Sequence, residues 1–233
     1  MAERDRPLLA VLIDADNVPA KFAEAILKEI AGIGEPALRR VYGDWSSGRL
    51  NAWSDRILSL GLVAHQETAN TKGKNASDIG LVIDAMDILH ARRFDGFVLV
   101  SSDSDFTALA NRLREDGLMV VGIGEKKAPE ALRNVCNRFI FIENITEEAR
   151  AKPPQTDAKA LNDAFRLVAE AMDKIDQEGD WFDLGAIGKT ILAAHPDFDT
   201  RSFGHGKLSA LVKAIPKLET RREGNVLMIR RRD

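Results

Sequence analysis

FVLVSSDSDF, residues 97–106, decides how the rest of the chain is read. Four apolar residues, β-branched in part, run straight into two serines and then into Asp103 and Asp105, which bracket Ser104. A continuous apolar run of this length reads as a strand buried in a parallel sheet, and the polar cluster after it marks the strand's carboxyl end. Open α/β sheets bind ligands at that end. Asp103 or Ser104 is placed to cap the helix that Phe106, Leu109, Ala110 and Leu113 trace at helical spacing. Capping employs one carboxylate and leaves the other unexplained. The same pattern occurs earlier, where residues 8–13 (LLAVLI) end in Asp14, Ala15, Asp16 and Asn17. Two such strands in one parallel sheet deliver four carboxylates to one edge.

Outward from these two runs, strands and helices alternate. After the first strand, Asn17 stands at an N-cap position and Pro19 near a first helical turn, and Phe22, Ile26, Leu27 and Ile30 give one apolar face before Gly32 and Gly34 stop it. Residues 37–42 (ALRRVY) make a second strand. Leu50, Trp53, Ile57, Leu58 and Leu60 trace a helix closed by Gly61, and residues 62–65 a short third strand. The polar segment 67–77 (ETANTKGKNAS) carries Lys72 and Lys74 and ends at Ser77, an N-cap candidate for a helix bearing Ile79, Val82, Ile83, Met86 and Leu89. Asp78 falls in its first turn, where the macrodipole favours a carboxylate. Asp84 and Asp87, roughly 240° and 180° further around, face elsewhere. Residues 118–122 (LMVVG), 129–135 and 139–142 then read as strand, helix and strand. The alternation predicts an α/β fold with a doubly wound, mainly parallel sheet and right-handed crossovers.

Residues 147–157 (EEARAKPPQTD), with a Pro-Pro pair among charges, read as a linker. Beyond it come an amphipathic helix (Leu161, Phe165, Val168, Ala169, Met172, Ile175), the segment WFDL, a second helix through Ile187 and Ile191, and a third with Leu208, Leu211, Val212 and Ile215. Residues 218–220 and 226–229, joined across Glu223, Gly224 and Asn225, make a terminal hairpin. Three helices and a hairpin describe a small winged helix. The expected domains are 1–146 and 159–233, with 147–158 as linker.

At 233 residues and 45% hydrophobic content the chain is long enough for two such cores. No apolar stretch approaches 18 residues and MAERDRP leads directly into a strand, so the expectation is a soluble protein with no membrane contact. Cys136 is the only cysteine, which excludes an intrachain disulfide and a thiolate metal site and fits the cytoplasm. The net charge of −3 hides an asymmetry: residues 1–150 carry 19 Lys and Arg against 23 Asp and Glu, while 207–233 carry eight against three. A basic tail on an acidic body points to an anionic partner for the tail.

Several chemistries lack support. Gly122-Ile123-Gly124 follows a strand, but the third glycine and the ribose-binding acid of a dinucleotide loop are not in place, and no Walker sequence exists. The four histidines show no paired helical spacing, and Cys136 has no marked base beside it. The aspartates are left. Asp14, Asp78, Asp103 and Asp105 converging at one edge would repel strongly, and a divalent cation removes that penalty. Hard oxygen ligands without imidazole or thiolate suit Mg²⁺ or Mn²⁺, and the chemistry such a site does well is phosphodiester hydrolysis.

These residues resemble a known family. LLAVLIDADN, KGKNASDIGLVIDAMDIL and GFVLVSSDSDFTALANRLREDGLMVVGIG look like the NYN domain in its LabA-like bacterial branch, a relative of the PIN ribonucleases, over about residues 7–145. The resemblance implies a PIN-like fold and a metal-dependent ribonuclease whose acidic set matches Asp14, Asp78, Asp103 and Asp105. Residues 159–233 look like a LOTUS domain, also called OST-HTH, a winged helix associated with RNA binding. RNA rather than DNA is an implication of the resemblance. On this reading Asp14, Asp78 and Asp103 hold the metal, and Asp105 is a ligand or a water-orienting base. Asp16 either replaces Asp14 or flanks it, with Asp14, directly ending its strand, the first choice.

Asn17, Ser102 and Thr107 are candidates either to support the metal ligands or to contact phosphate, and Lys72, Lys74, Arg221 and Arg222 are candidates to attract the RNA backbone. A non-catalytic RNA-binding regulator that keeps the fold is the alternative. A phosphatase or receiver domain lacks its DxDxT nucleophile motif, since Asp14-Ala15-Asp16 is followed by Asn17, Val18 and Pro19. The RNA target, endo- or exonucleolytic cleavage and a homo-oligomeric state stay open. Limited proteolysis should cut between Glu147 and Asp157 and leave two folded pieces; a fragment 1–146 that does not fold alone would refute the division.

Overall fold

Five residues of β1 (Leu8–Asp14), Leu9 to Ile13, have no solvent exposure, because helices cover both faces of the sheet they occupy. That is why the strand reads as an unbroken apolar run rather than an alternating one. The computed structural model describes residues 5–66, 76–146 and 157–232. They separate into two compact units, Met1–Glu147 and Glu148–Asp233, each taken here by itself. Lys72, Lys74 and nearly all of the expected linker lie outside the described residues.

The first unit is built on β1, β2 (Glu35–Gly43), β3 (Val63–Gln66), β4 (Gly96–Val100), β5 (Met119–Gly124) and β6 (Arg138–Phe141), all parallel, in the order β3-β2-β1-β4-β5-β6. The chain builds outward from β1 to β3, then crosses back to β4 and builds the other way. Connections therefore leave β1 and β4 on opposite faces, and a crevice opens at the carboxyl ends of these two neighbours. On one face α1 (Ala23–Ile33) and α2 (Asn51–Leu60) bury Ile26, Ile30 and Trp53 against Leu9, Val11, Ile13, Val98 and Val100. On the other, α3 (Ala76–His90), α4 (Thr107–Glu115) and α5 (Glu130–Val135) bury Leu81, Ala85, Leu109, Leu113 and Leu132 against Ala10, Leu12, Phe97 and Leu99. The sheet is thus α/β and doubly wound, as the alternation of elements implies.

Local details differ from the sequence reading. Asn17 is not an N-cap: a single 3-10 turn, Ala20–Phe22, leads into α1, and neither start has a side-chain cap. Gly32 lies inside α1, and Gly34 ends it. Ser77 lies inside α3, which begins at Ala76. A short helix, α6 (Ile142–Ile145), follows β6 and is too brief to leave a periodic signature. Gly122 and Gly124 are packing positions within β5. A Cβ on Gly122 would stand 2.8 Å from Phe139 Cε2 and 2.9 Å from Cys136 Sγ, and one on Gly124 2.6 Å from the Ser101 carbonyl oxygen. Bare backbone lets the end of β5 seat directly on the end of β4.

The second unit comprises α7 (Ala158–Lys174), β7 (Phe182–Asp183), α8 (Leu184–Ala194), α9 (Leu208–Ala214), β8 (Leu218–Glu223) and β9 (Val226–Arg231). Asp157 caps α7 by accepting from the Lys159 N–H at 3.1 Å, and Asp183 caps α8 by accepting from Ala186 at 2.7 Å. Ala164, Val168, Met172, Ile187, Ile191, Leu211, Val212 and Ile229 form its core. The hairpin β8–β9 turns at Gly224, φ 59°, and is joined by β7, so the sheet is three-stranded and antiparallel in the order β7-β9-β8. The Phe-Asp pair of WFDL is the strand that the two-stranded expectation omitted.

Gly122→Ala should destabilise the first unit by about 1–3 kcal/mol, the usual penalty for overpacking a filled core. Chemical denaturation giving an unchanged midpoint would show that Phe139 and Cys136 yield freely.

Candidate metal centre

Asp14 is the last residue of β1 and only 1% exposed. Its Oδ1 accepts from the backbone N–H groups of Asp16 and Asn17, both at 3.2 Å, and its Oδ2 from Asn17 Nδ2 at 2.6 Å and Ser101 Oγ at 2.9 Å. All four donors are neutral. Burial nevertheless pushes the Asp14 carboxyl above its ordinary range, against the lowering effect of those hydrogen bonds.

Ser101 follows β4 directly. The register pairs Ile13 with Val100, so the next step along both strands sets Ser101 beside Asp14. Its Oγ also accepts from the Asp103 N–H at 3.1 Å, which ties the end of β1 to the loop after β4. Asp103 then caps the turn Ser104–Phe106 by accepting from the Asp105 N–H at 2.9 Å. That is the ordinary duty foreseen for one aspartate. Across the crevice, Asp78 lies in the first turn of α3. Ser77 Oγ donates to Asp16 Oδ2 at 3.0 Å and ties the start of that helix to the loop after β1.

The result is a compact acidic group: one carboxylate oxygen from each of Asp78, Asp103 and Asp105 lies within 4.8 Å of the others. Asp78 and Asp103 are half-buried and Asp105 is exposed. Burial, followed by the charges of Asp14, Asp103, Asp105 and Asp16, pushes the Asp78 carboxyl up to about 6. Among the described residues no Lys or Arg pairs with Asp14, Asp78 or Asp103. An all-oxygen donor set of clustered carboxylates fits a hard divalent cation, and nothing in it suits a softer ion.

The other candidates are distributed unevenly. Asn17 spends its amide on Asp14. Ser102 is turned toward β5, where its hydroxyl accepts from the Glu125 N–H at 2.8 Å. Ser101, absent from the sequence-based set, holds the position linking Asp14 to Asp103. Two adjacent serines are alike in composition, and only strand register separates them. The Thr107 hydroxyl is buried and has no partner among the described residues. Asp84 turns away to accept from Arg40 and Tyr42, and Asp87 is exposed. In the second unit Arg221 pairs with Glu223 and lies 4.1 Å over the Trp181 ring, and Arg230 pairs with Glu219 at 2.7 Å and lies 4.9 Å over the same ring. Arg231 pairs with Asp173 at 2.6 Å. Arg222 is exposed and has no partner among the described residues.

Comparison with known proteins shows the family. The NYN domain profile matches residues 8–143, and the OST-HTH/LOTUS domain profile matches residues 153–227. The chain belongs to the NYN domain family. Among solved structures, a protein of unknown function, VPA0982 from Vibrio parahaemolyticus RIMD 2210633, is similar at 20% identity with a TM-score of 0.49, over 60% of this chain and 94% of that one. No curated protein matches the chain. NYN domains are typically nucleases of PIN-like fold that use divalent metals, and with the LOTUS domain and the acidic group they support an RNA-related nuclease role. No helix among the described residues is long and apolar enough to cross a membrane.

Asp78 carries a pH signature. Its carboxyl titrates near 3.8 in an unfolded chain and near 6 in the fold, so the folded state keeps the proton longer. The stability that follows is fully present below the lower value and lost as pH rises through the upper one. In chelator, Asp78→Asn should therefore melt higher than the wild type at neutral pH, with the gap closing on acidification. Melting curves that run parallel between about pH 4 and 7 would contradict this.

Proposed function

We propose that the chain is a divalent-metal-dependent ribonuclease that hydrolyses RNA phosphodiesters at Asp14, Asp78, Asp103 and Asp105, with Mg²⁺ or Mn²⁺ as cofactor. A catalytic domain spanning 1–146 would be served by an RNA-binding winged helix spanning 159–233. The observation that carries the reading is the convergence of Asp78, Asp103 and Asp105 within 4.8 Å beside the buried Asp14. The lone buried Cys136, whose thiol burial pushes up to about 12, is an inert packing residue and suits the cytoplasm.

Asp78, Asp103 and Asp105 would hold the cation, and Asp14 would join them by giving up one of its four hydrogen bonds. When bound, Mg²⁺ or Mn²⁺ supplies hydroxide at neutral pH and stabilises charge on the phosphate oxygens. The chain's own residues prepare that step. Asn17 and Ser101 hold the Asp14 carboxylate in one orientation, and Ser101 fixes the Asp103 backbone as well. Asp105, the most open of the three clustered acids, would serve either as a metal ligand or as the base that orients an attacking water and accepts its proton. The unpartnered Thr107 hydroxyl remains a candidate phosphate contact. In the winged helix, the internal pairs of Arg221, Arg230 and Arg231 leave Arg222 and Arg232, with Lys207 and Lys213 of the α9 region, among the side chains that can meet RNA.

Single-turnover cleavage of single-stranded RNA by the full chain in Mn²⁺ tests the assignment. Asp103→Asn keeps a capping side chain, so it should fold normally yet lose roughly a hundredfold or more in rate, as several kcal/mol of charge stabilisation would require. Arg222→Glu should raise the apparent KM and leave the rate at saturating RNA nearly unchanged. Equal loss of rate in both variants would refute the division of labour. No cleavage by the wild type in either metal would favour a binding-only protein.

A further inference from the structure

A polyanion entering the crevice meets the negative charge of Asp14, Asp16, Asp78, Asp103 and Asp105, so its phosphates need cations not already engaged by the protein. On the described loops leaving the carboxyl ends of β1, β2, β4 and β5, the basic residues are Lys21, Arg49, Lys126 and Lys127. Lys21 lies 4.8 Å over the ring of Phe22, Arg49 acts on Asp44, and Lys127 pairs with Glu125 at 2.5 Å. Lys126 is exposed, and among the described residues its ammonium has neither an ion pair nor a ring contact.

Its backbone, in contrast, is held on three sides. The Lys126 N–H donates to both carboxylate oxygens of Glu143, at 2.9 and 3.2 Å. The Glu125 N–H before it donates to Ser102 Oγ at 2.8 Å, and the Ala128 N–H after it to the Glu125 carbonyl at 2.9 Å. Ser102 immediately precedes Asp103, and Gly124 packs against the Ser101 carbonyl. The loop bearing Lys126 is therefore fastened to the strand end that bears the acidic group. Its main chain is fixed and its charge is free.

We infer that Lys126 binds a phosphate flanking the scissile one, gripping the RNA strand from the β5 side of the acidic group. The identity of the polyanion rests on the ribonuclease reading; the cation's position does not. A lysine suits the task because its compact charge needs no planar geometry, and an unengaged side chain gives up no internal contact on binding. Lys127, two residues from the same anchor, is the internal control, since Glu125 already neutralises it.

The test is binding of a fluorescein-labelled oligouridine to the full chain in chelator, where no cleavage occurs, over a range of salt. Lys126→Ala should weaken binding several-fold and make the slope of log K against log salt shallower by about 0.7, the signature of one lost contact to a single-stranded phosphate. Slopes add over contacts, so binding by the winged helix does not mask the change. Lys126→Arg should restore the wild-type slope, and Lys127→Ala should leave both quantities unchanged. Wild-type affinity and slope in Lys126→Ala would overturn the inference, as would an equal loss in Lys127→Ala. In Mn²⁺, Lys126→Ala should raise KM and hold kcat within about twofold. A wild type that does not cleave would sink the ribonuclease reading, while the chelator experiment would still decide the role of Lys126.

Discussion

Burying the Asp14 carboxylate at the end of β1 without a cationic partner is the constraint around which this unit is arranged. An isolated buried charge is unfavourable by several kcal/mol unless hydrogen bonds or a counter-ion offset it. Four neutral donors converge on Asp14, two of them backbone N–H groups of the loop that follows and one from the neighbouring strand. They hold the carboxylate in place but leave its pKa raised. Each donor in turn fixes something else: Asn17 and Asp16 shape the turn after β1, and Ser101 places the backbone of Asp103.

The second determinant is topological. Asp14 and Asp103 are nearly ninety residues apart in sequence, yet β1 and β4 are paired neighbours at the point where strand order reverses. Asp78 arrives from α3, whose crossover links the two halves of the sheet. Burial first, and then the charges of Asp14, Asp103, Asp105 and Asp16, raise the Asp78 carboxyl to about 6 where they meet. The all-oxygen composition of this group fits a hard divalent cation of the kind NYN domains typically use.

In the winged helix part of the basic charge is consumed inside the unit. The basic tail reads as a surface for an anionic partner, but Arg221, Arg230 and Arg231 are paired with Glu223, Glu219 and Asp173, and two of them stack on Trp181. These contacts bind the segment before β7 to the outer face of the small sheet. Counting charges along a sequence does not reveal the pairs of Arg230 and Arg231, because their acids come from the neighbouring strand and from α7, whereas Glu223 lies two residues from Arg221 in β8.

Apolar runs ending in aspartates, spacing of helices between them and the shift in pattern after the Pro-Pro pair were legible in the residues alone. Burial on two faces demands continuous apolar strands, so the α/β class and the carboxyl-edge position of Asp14, Asp103 and Asp105 follow from local composition. Resemblance of three motifs to the NYN domain pointed to the family that residues 8–143 match. What local pattern cannot carry is partnership across the sheet. Ser101 rather than Ser102 faces Asp14 because strand register sets it there, Asn17 turns back to a carboxylate instead of capping a helix, and Lys126 remains unengaged while Lys127 does not. Each outcome depends on distances between residues remote in sequence, and those exist only once the chain has folded.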